Sequence, residues 1–516
     1  MKKLHIITLI VLFGLLGGCQ EGILDKTPLD RLSPDTFYEN ENELKMGLMG
    51  VYNGLRENDT PIHWFQFDFM SDDAFCHHAW QGSMEFGSWT HNSSSWATGA
   101  KWARAYTLIV RANTFLSNLE NAPVGDDIKR QMEAETRFLR AFIYADLIHF
   151  YGDVPLIMAV QTLDESKVSR SPKSDVLTKV LEDLDFAAQN LPLTYSGSDV
   201  GRATKGAALA YKARTLLYNE KWTEAAVAAK AVMDLDVYDL FPDYEGIFLE
   251  ENENNVEVIF DIQYMKDLSP QPWPSSALSF GEWPTPNIAS SLIDSYYMTN
   301  GLPINALGAG YSTQNPFANR DPRLAATVVL PGSAMGTRTF IPANDEVLTG
   351  ARPRKYADLY TTDRNNCAIN TIKLRYADIL LIRAEALIES NSISQEVYDL
   401  INDVRGRVNM PRIEDVEGTG LSQSELRNIL RHERRVEFPI EGLRYEDMYR
   451  WKDQSLVHDV YGYNTSKLSN PNNLSQWVFE QVKVATRGFD PAKGWLWPIP
   501  QTDIQNNENL TQNSGY

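Results

Sequence analysis

The stretch ALAYKARTLLYNEKWTEAAVAAKAVM, residues 208–233, limits the fold more than any other. Apolar residues recur every three or four positions on both sides of the break at Asn219-Glu220-Lys221. That period builds two amphipathic helices, and a break so short leaves them antiparallel. Ala210, Ala213, Ala225 and Ala229 are small enough to let the two axes approach closely. A second pair follows far downstream, KLRYADILLIRAEALIES (373–390) and SQEVYDLINDVRGRV (394–408). A third pair is read at 126–150 with 174–190. Helical pairs spread out in this way, with large insertions between them, predict a stacked scaffold that displays loops on one side.

Tyr218, Trp222 and Ala225 stand where a tetratricopeptide repeat places its turn aromatics and the first small residue of its second helix. Further helices are read near 41–55, 101–119, 422–438 and 445–451. VEVIFDIQY (256–264) reads as a strand. The expected fold is therefore mainly α, a scaffold of TPR-like hairpins with large irregular loop insertions and a few short strands. With 516 residues, 43% of them hydrophobic, the chain is long enough for one or two cores.

The N-terminus has the form of an export signal. Met1-Lys2-Lys3 is basic, Ile6 to Leu16 is apolar, Gly17 and Gly18 are small, and Cys19 follows. The apolar run is shorter than the roughly 20 residues a spanning helix needs. Leu16-Gly17-Gly18-Cys19 resembles a lipobox, which implies removal of residues 1–18 and a lipid anchor on Cys19. A plain secretory signal with an incidental cysteine is the alternative. Residues 19–40, with Pro28 and Pro34 and no period, read as a tether. Loss of Lys2 and Lys3 takes the net charge from −20 to −22, a poor match for nucleic acid or anionic lipid. Two cysteines then remain, Cys76 and Cys367. Two free buried thiols are the expectation, with one disulfide as the alternative.

Two loop regions concentrate tryptophan among Gly, Ser, Asn, Asp and Pro. The first, 58–100, carries Trp64, Trp80, Trp89 and Trp96, and the second carries Trp273 and Trp283. Flat rings stack on the C–H faces of sugars, and nearby amides and carboxylates bind hydroxyls. These six tryptophans are the candidate ligand contacts. A single tryptophan is more often buried, so the expectation is that at least two share an open cleft. Trp102, Trp222 and Trp451 are assigned to the scaffold. In SDDAFCHH (71–78), adjacent His77 and His78 would point oppositely in an extended segment, so no transition-metal site is expected. No cofactor is expected, and calcium held by the aspartates stays open. In ERRVEFPIEGLRYEDMYRW (433–451), Glu433 and Glu437 are spaced as a glycosidase pair would allow. The arginines interleaved with them would depress both carboxyls and favour an ion network joining helices.

Several stretches taken together resemble one family. They include DKTPLDRLSPDTFYENENELKMGLMGVYNGL, RANTFL, AETRFLRAFIYADLIHFYGDVPLI and NRDPRLAATV. LRYADILLIRAEAL, ERRVEFPIEGLRYEDMYRW and LWPIPQTDIQNNENLTQNSGY complete the set in order. The chain resembles the SusD/RagB outer-membrane lipoproteins of Bacteroidetes over nearly its whole length. Ser514 departs from the proline usual before the final glycine and aromatic residue. The resemblance implies an N-terminal helical region, 41–237, and a loop-rich C-terminal region, 238–516. It implies a non-catalytic protein, lipid-anchored on the outer face of the outer membrane. Such a protein would bind oligo- or polysaccharide and sit as the lid of a SusC-like TonB-dependent barrel. A peptide-binding lid is the alternative within this class, and a surface glycoside hydrolase is the alternative outside it.

Overall fold

A computed structural model describes residues 37–58, 66–77, 82–271, 286–344, 347–357, 366–470 and 474–516. The signal, Cys19 and most of the tether lie outside these residues. The expected hairpins form. Helices α1 (Glu41–Asn58), α2 (Trp96–Asn121), α3 (Asp126–Phe150), α4 (Lys173–Asn190), α5 (Lys205–Tyr218) and α6 (Trp222–Met233) each pack on the next. After an insertion, α7 (Tyr376–Glu389) packs directly on α6. Helices α8 (Gln395–Arg407) and α9 (Gln423–Glu437) pack on α7, and α10 (Leu443–Trp451) follows.

The sequence dictates this stack locally. Leu44, Leu48, Val51 and Leu55 form the buried stripe of α1, and Phe138, Ala141, Phe142, Ala145 and Ile148 that of α3. Ala210 and Ala213 of α5 and Ala225 and Ala229 of α6 are fully buried between the paired helices. Thr204 caps α5 by accepting the Ala207 N–H (3.1 Å), and Ser422 and Glu425 form a reciprocal capping box at α9. Gly206 has to be glycine for a steric reason, since a Cβ there would overlap the Tyr238 hydroxyl.

The regions 41–237 and 238–516 share this one stack. Arg214 of α5 donates to Asp378 of α7 from Nη2 (2.7 Å) and from Nε (3.0 Å), with both side chains buried. Arg383 of α7 donates to the Ala226 carbonyl of α6 (2.8 Å).

The insertions are held by short antiparallel pairs. β1 (Ala74–Cys76) pairs with β3 (Pro286–Ile288), and β2 (Val258–Ile262) with β4 (Thr371–Arg375). β5 (Val460–Tyr463) pairs with β6 (Gln481–Ala485). The expected strand over 256–264 is thus present as β2. Its partner β4 was hidden, because its apolar residues run straight into the helical pattern of α7. Residues of the insertions fill a second core that includes Phe69, Leu292, Tyr296 and Tyr356. Cys76 and Cys367 are buried in that core, and no disulfide joins them.

The reading of 58–100 as loop is corrected in part. Gln66–Phe69 and Ser83–Gly87 are short helices, and α2 begins at Trp96 rather than Lys101. Trp102 is buried, and Trp222 and Trp451 are half-buried against the scaffold. Among the described residues no helix is long and apolar enough to cross a membrane.

Candidate functional site

Trp96 is the open ring among the tryptophan candidates that fall within the described residues, with 60% of its surface exposed. The chain that presents it is tied down on both sides. Asn92 turns back on itself, its side chain accepting the Ser94 N–H (2.9 Å) and its carbonyl the Ser95 N–H (3.0 Å). The Ser95 hydroxyl donates to Glu85 (2.6 Å) and accepts from the Asn92 N–H (3.0 Å). The C-terminal tail closes the other side, where the Gln501 N–H donates to the Ser93 carbonyl (2.9 Å). Trp96 therefore stands on the first turn of a 26-residue helix, beside Asn92, Ser93, Ser94 and Gln501. A rigid ring among amides and hydroxyls can stack one face of a ligand and hydrogen-bond its edge.

Trp89 is placed differently from expectation. It is 6% exposed, and its ring meets Trp495 edge-on at 5.2 Å and Phe489 at 5.1 Å. It is a core ring and offers no open face. Its φ of 63° turns the chain from the short helix Ser83–Gly87 towards Asn92, which swings the side chain inward. Trp64, Trp80, Trp273 and Trp283 lie outside the described residues.

The base of the aromatic excursion is fixed by charges that sequence spacing did not reveal. Arg487 donates to the carbonyls of Phe69 (3.0 Å) and Ala74 (2.8 Å) and to that of Ser71. Arg444 holds Asp72 (2.8 and 2.9 Å), Arg435 holds Asp73 (2.8 Å), and Asp68 accepts the Gly442 N–H (2.6 Å). Burial pushes the Asp72 carboxyl up, but Arg435 and Arg444 outweigh it and leave the group well below its ordinary value. The aspartates that a calcium site would draw on are thus engaged by arginines. His77 contacts Asn287 (3.1 Å) across the β1–β3 pair, and His78 lies outside the described residues. Among the described residues no cluster of His, Cys, Asp or Glu is arranged to hold a metal ion. Arg487 sits in coil with no motif around it, so only the three carbonyls reveal its task.

Glu433 and Glu437 sit inside a buried ion network. Arg323 donates to both (2.6 and 2.9 Å), Arg405 to Glu433 (2.9 Å), and Arg375 to Glu437 (2.7 Å). Burial works against ionisation of Glu437, but Arg407, Arg375 and Arg323 reverse that and hold the carboxyl far below its usual value. Such a carboxylate cannot serve as an acid, and its oxygens are occupied. The network links the 320s segment with β4, α8 and α9, so the expected ion network forms, but its arginines come from those other elements: the interleaved Arg434 holds Asp378 and Asp447, and Arg435 holds Asp73.

The sequence model of the SusD family matches residues 245–516, more than half of the chain. The chain belongs to the SusD family. A second model, described as starch-binding associating with outer membrane, matches residues 24–217. A SusD-like protein of Formosa agariphila is 27% identical across the whole of both chains. A SusD-like protein of Bacteroides ovatus is 23% identical over 87% of this chain and 82% of its own. Among solved structures, a SusD-like carbohydrate-binding protein of Bacteroides fragilis superposes with a TM-score of 0.83. It is 29% identical, and the match covers 92% of this chain and 100% of that one. A laminarin-binding SusD-like protein superposes with a TM-score of 0.67 at 24% identity, covering 93% and 100%. The mainly α fold expected from the hairpins, which the resemblance implied to be SusD-like, is the fold of these neighbours. In this SusD-family chain, the braced turn at 92–96 carries the open tryptophan among the candidates within the described residues.

Proposed function

We propose that this protein is a lipid-anchored, non-catalytic glycan-binding protein of the outer cell surface. It binds oligo- or polysaccharide and delivers it to a SusC-like TonB-dependent barrel, over which it acts as a lid. Family membership supports the carbohydrate-binding part of this reading. So do the carbohydrate-binding protein of Bacteroides fragilis and the laminarin-binding neighbour. The observation that carries it is the open ring of Trp96 on a braced turn rich in hydroxyls and amides. Cys19 is the proposed anchor.

Trp80 and Trp283, which lie outside the described residues, are proposed as further contacts. Trp64 and Trp273 are retained as secondary candidates. Glycan hydrolysis is not favoured, because Glu433 and Glu437 are sequestered by arginines.

Isothermal titration against plant, host and microbial polysaccharides tests the reading, repeated with Trp96→Ala, Trp80→Ala and Trp283→Ala. A tenfold or greater loss, about 1.4 kcal/mol, in at least one variant is the expected result. Binding of peptides with no binding of any sugar would move the protein to the peptide-carrying alternative.

A further inference from the structure

The two tryptophan-bearing regions share a second property. Residues 57–100 contain no lysine or arginine, and neither do residues 267–319. These are the two longest such runs in the chain, 97 residues together, where its average of 48 basic residues in 516 would place about nine. All six tryptophan candidates fall inside them. However these segments meet, they bring no permanent cation of their own to a ligand.

The basic residues that bound the two runs are engaged elsewhere. Arg56 donates to Asn53 (3.1 Å) and to Ser269, and Lys266 pairs with Glu250 (2.7 Å). Lys101 is buried against Asp146 (2.9 Å), and Arg320 is buried against the carbonyls of Tyr296 (2.7 Å) and Pro316 (2.7 Å). Two more cations approach the Trp96 turn. Arg104, two turns along α2, reaches Glu57 (3.5 Å), and Lys493 of the C-terminal coil donates to the His91 carbonyl (2.9 Å). His91 itself is buried, and burial, with Lys493 adding to it, holds its imidazole down to about 3, so the ring is neutral. The nearby carboxylate is committed too, since Glu85 accepts from Ser95 (2.6 Å). Among the described residues, the Trp96 ring is therefore left among neutral amides and hydroxyls.

Taking the glycan-binding reading as given, we infer that the ligand is an uncharged glycan, and that the Trp96 surface turns away chains bearing a uronate or a sulfate on their sugars. Three effects act in the same direction. A carboxylate or sulfate pressed against the indole gives up water and gains no cation in return. The face of the ring is itself negative, so it attracts the C–H face of a neutral sugar and repels an anion. The net charge of −20 adds repulsion at longer range, which salt screens. A polycationic chain would be drawn by that net charge but would find Glu85 already held by Ser95. A neutral sugar needs only what the turn offers, amides and hydroxyls that both donate and accept.

Isothermal titration of the full-length protein in a sugar-free detergent tests this with a panel sorted by charge: neutral, uronate-bearing and sulfated polysaccharides, with chitosan as the polycation. Each chain that binds is then titrated again after partial oxidation to uronate or partial sulfation. The expected result is binding of at least one neutral chain, with its charged derivative about tenfold or more weaker at low salt. Raising sodium chloride from about 20 mM to about 500 mM should leave the neutral chain's affinity in place and narrow that gap. Ala103→Lys puts a cation on the exposed face of α2, two turns from Trp96, and should narrow the gap at low salt. A loss that neither salt nor Ala103→Lys reduces is one of shape, and it overturns the inference. Binding of a uronate-bearing or sulfated chain as tightly as any neutral one, with or without added calcium, overturns it while the glycan-binding reading stands. A preference for chitosan over every neutral chain does the same. No binding of any sugar overturns the glycan-binding reading, and the charge preference falls with it.

Discussion

Three side chains set what single residues do here. Trp96 is open because it begins a helix whose cap is tied to Glu85 and whose flank is tied to the C-terminal tail. Replacing it with alanine removes stacking surface without opening a cavity, so Trp96→Ala should weaken glycan binding tenfold or more and leave the urea midpoint in place. Glu437 answers to three arginines. Glu437→Gln removes the charge that balances them in a buried site, and a loss of about 3–5 kcal/mol is expected by urea unfolding. Its carboxyl is held below the unfolded value of about 4.3, so its contribution is present above that pH and is lost as pH falls below it. Glu446 runs the other way. Burial, with Asp146 and Asp447 adding to it against Arg214 and the Tyr218 hydroxyl, raises its carboxyl to about 7. The unfolded chain ionises first, so stability is full below about pH 4.3 and is lost as pH rises to about 7. Glu446→Gln should match wild type near pH 4 and exceed it by about 3–4 kcal/mol at pH 8, read by urea titration at both values.

At the scale of elements, the hairpins depend on small residues. Ala225 is fully buried where α6 packs on α5, so the extra carbon atoms of Ala225→Leu force the two helices apart or bend one of them. A cost of about 1–3 kcal/mol is expected, measured as a shift in urea midpoint with unchanged slope. The strand pairs depend on distant partners. β2 was legible from its own alternation of apolar residues, but β4 was not. Its pairing with β2 lies more than a hundred residues away in the chain, and periodicity within a short window carries no information about such a partner. The same limit applied to Trp89. A tryptophan among glycines and serines reads as an exposed loop ring, and only Trp495 and Phe489, brought back by the C-terminal coil, cover it.

The whole molecule behaves as one stack crossing the boundary between its two sequence regions. Arg214 and Asp378 lie on opposite sides of that boundary and are both buried. Residues 41–237 expressed alone would leave Arg214 without its carboxylate and α6 without α7. That fragment should aggregate or bind a hydrophobic dye, and co-expression with 238–516 should suppress both, as size-exclusion chromatography would read. The acidic aspartate run at 68–73 also belongs to this scale. Arginines from α9, α10 and the 480s converge on it, and they anchor the aromatic excursion to the helical body.

The sequence by itself determined the helical hairpins, their small-residue seams, and the arginine-laced character of 433–451. All of these are written in spacings of a few residues, which is the range over which helix period, capping and charge pairing act. Only the tertiary structure decided which tryptophan is open and which is covered, which strand pairs with β2, and what Arg487 holds. Each of those depends on groups far apart in the chain meeting in space, and burial is a property of the assembled surface rather than of any local stretch.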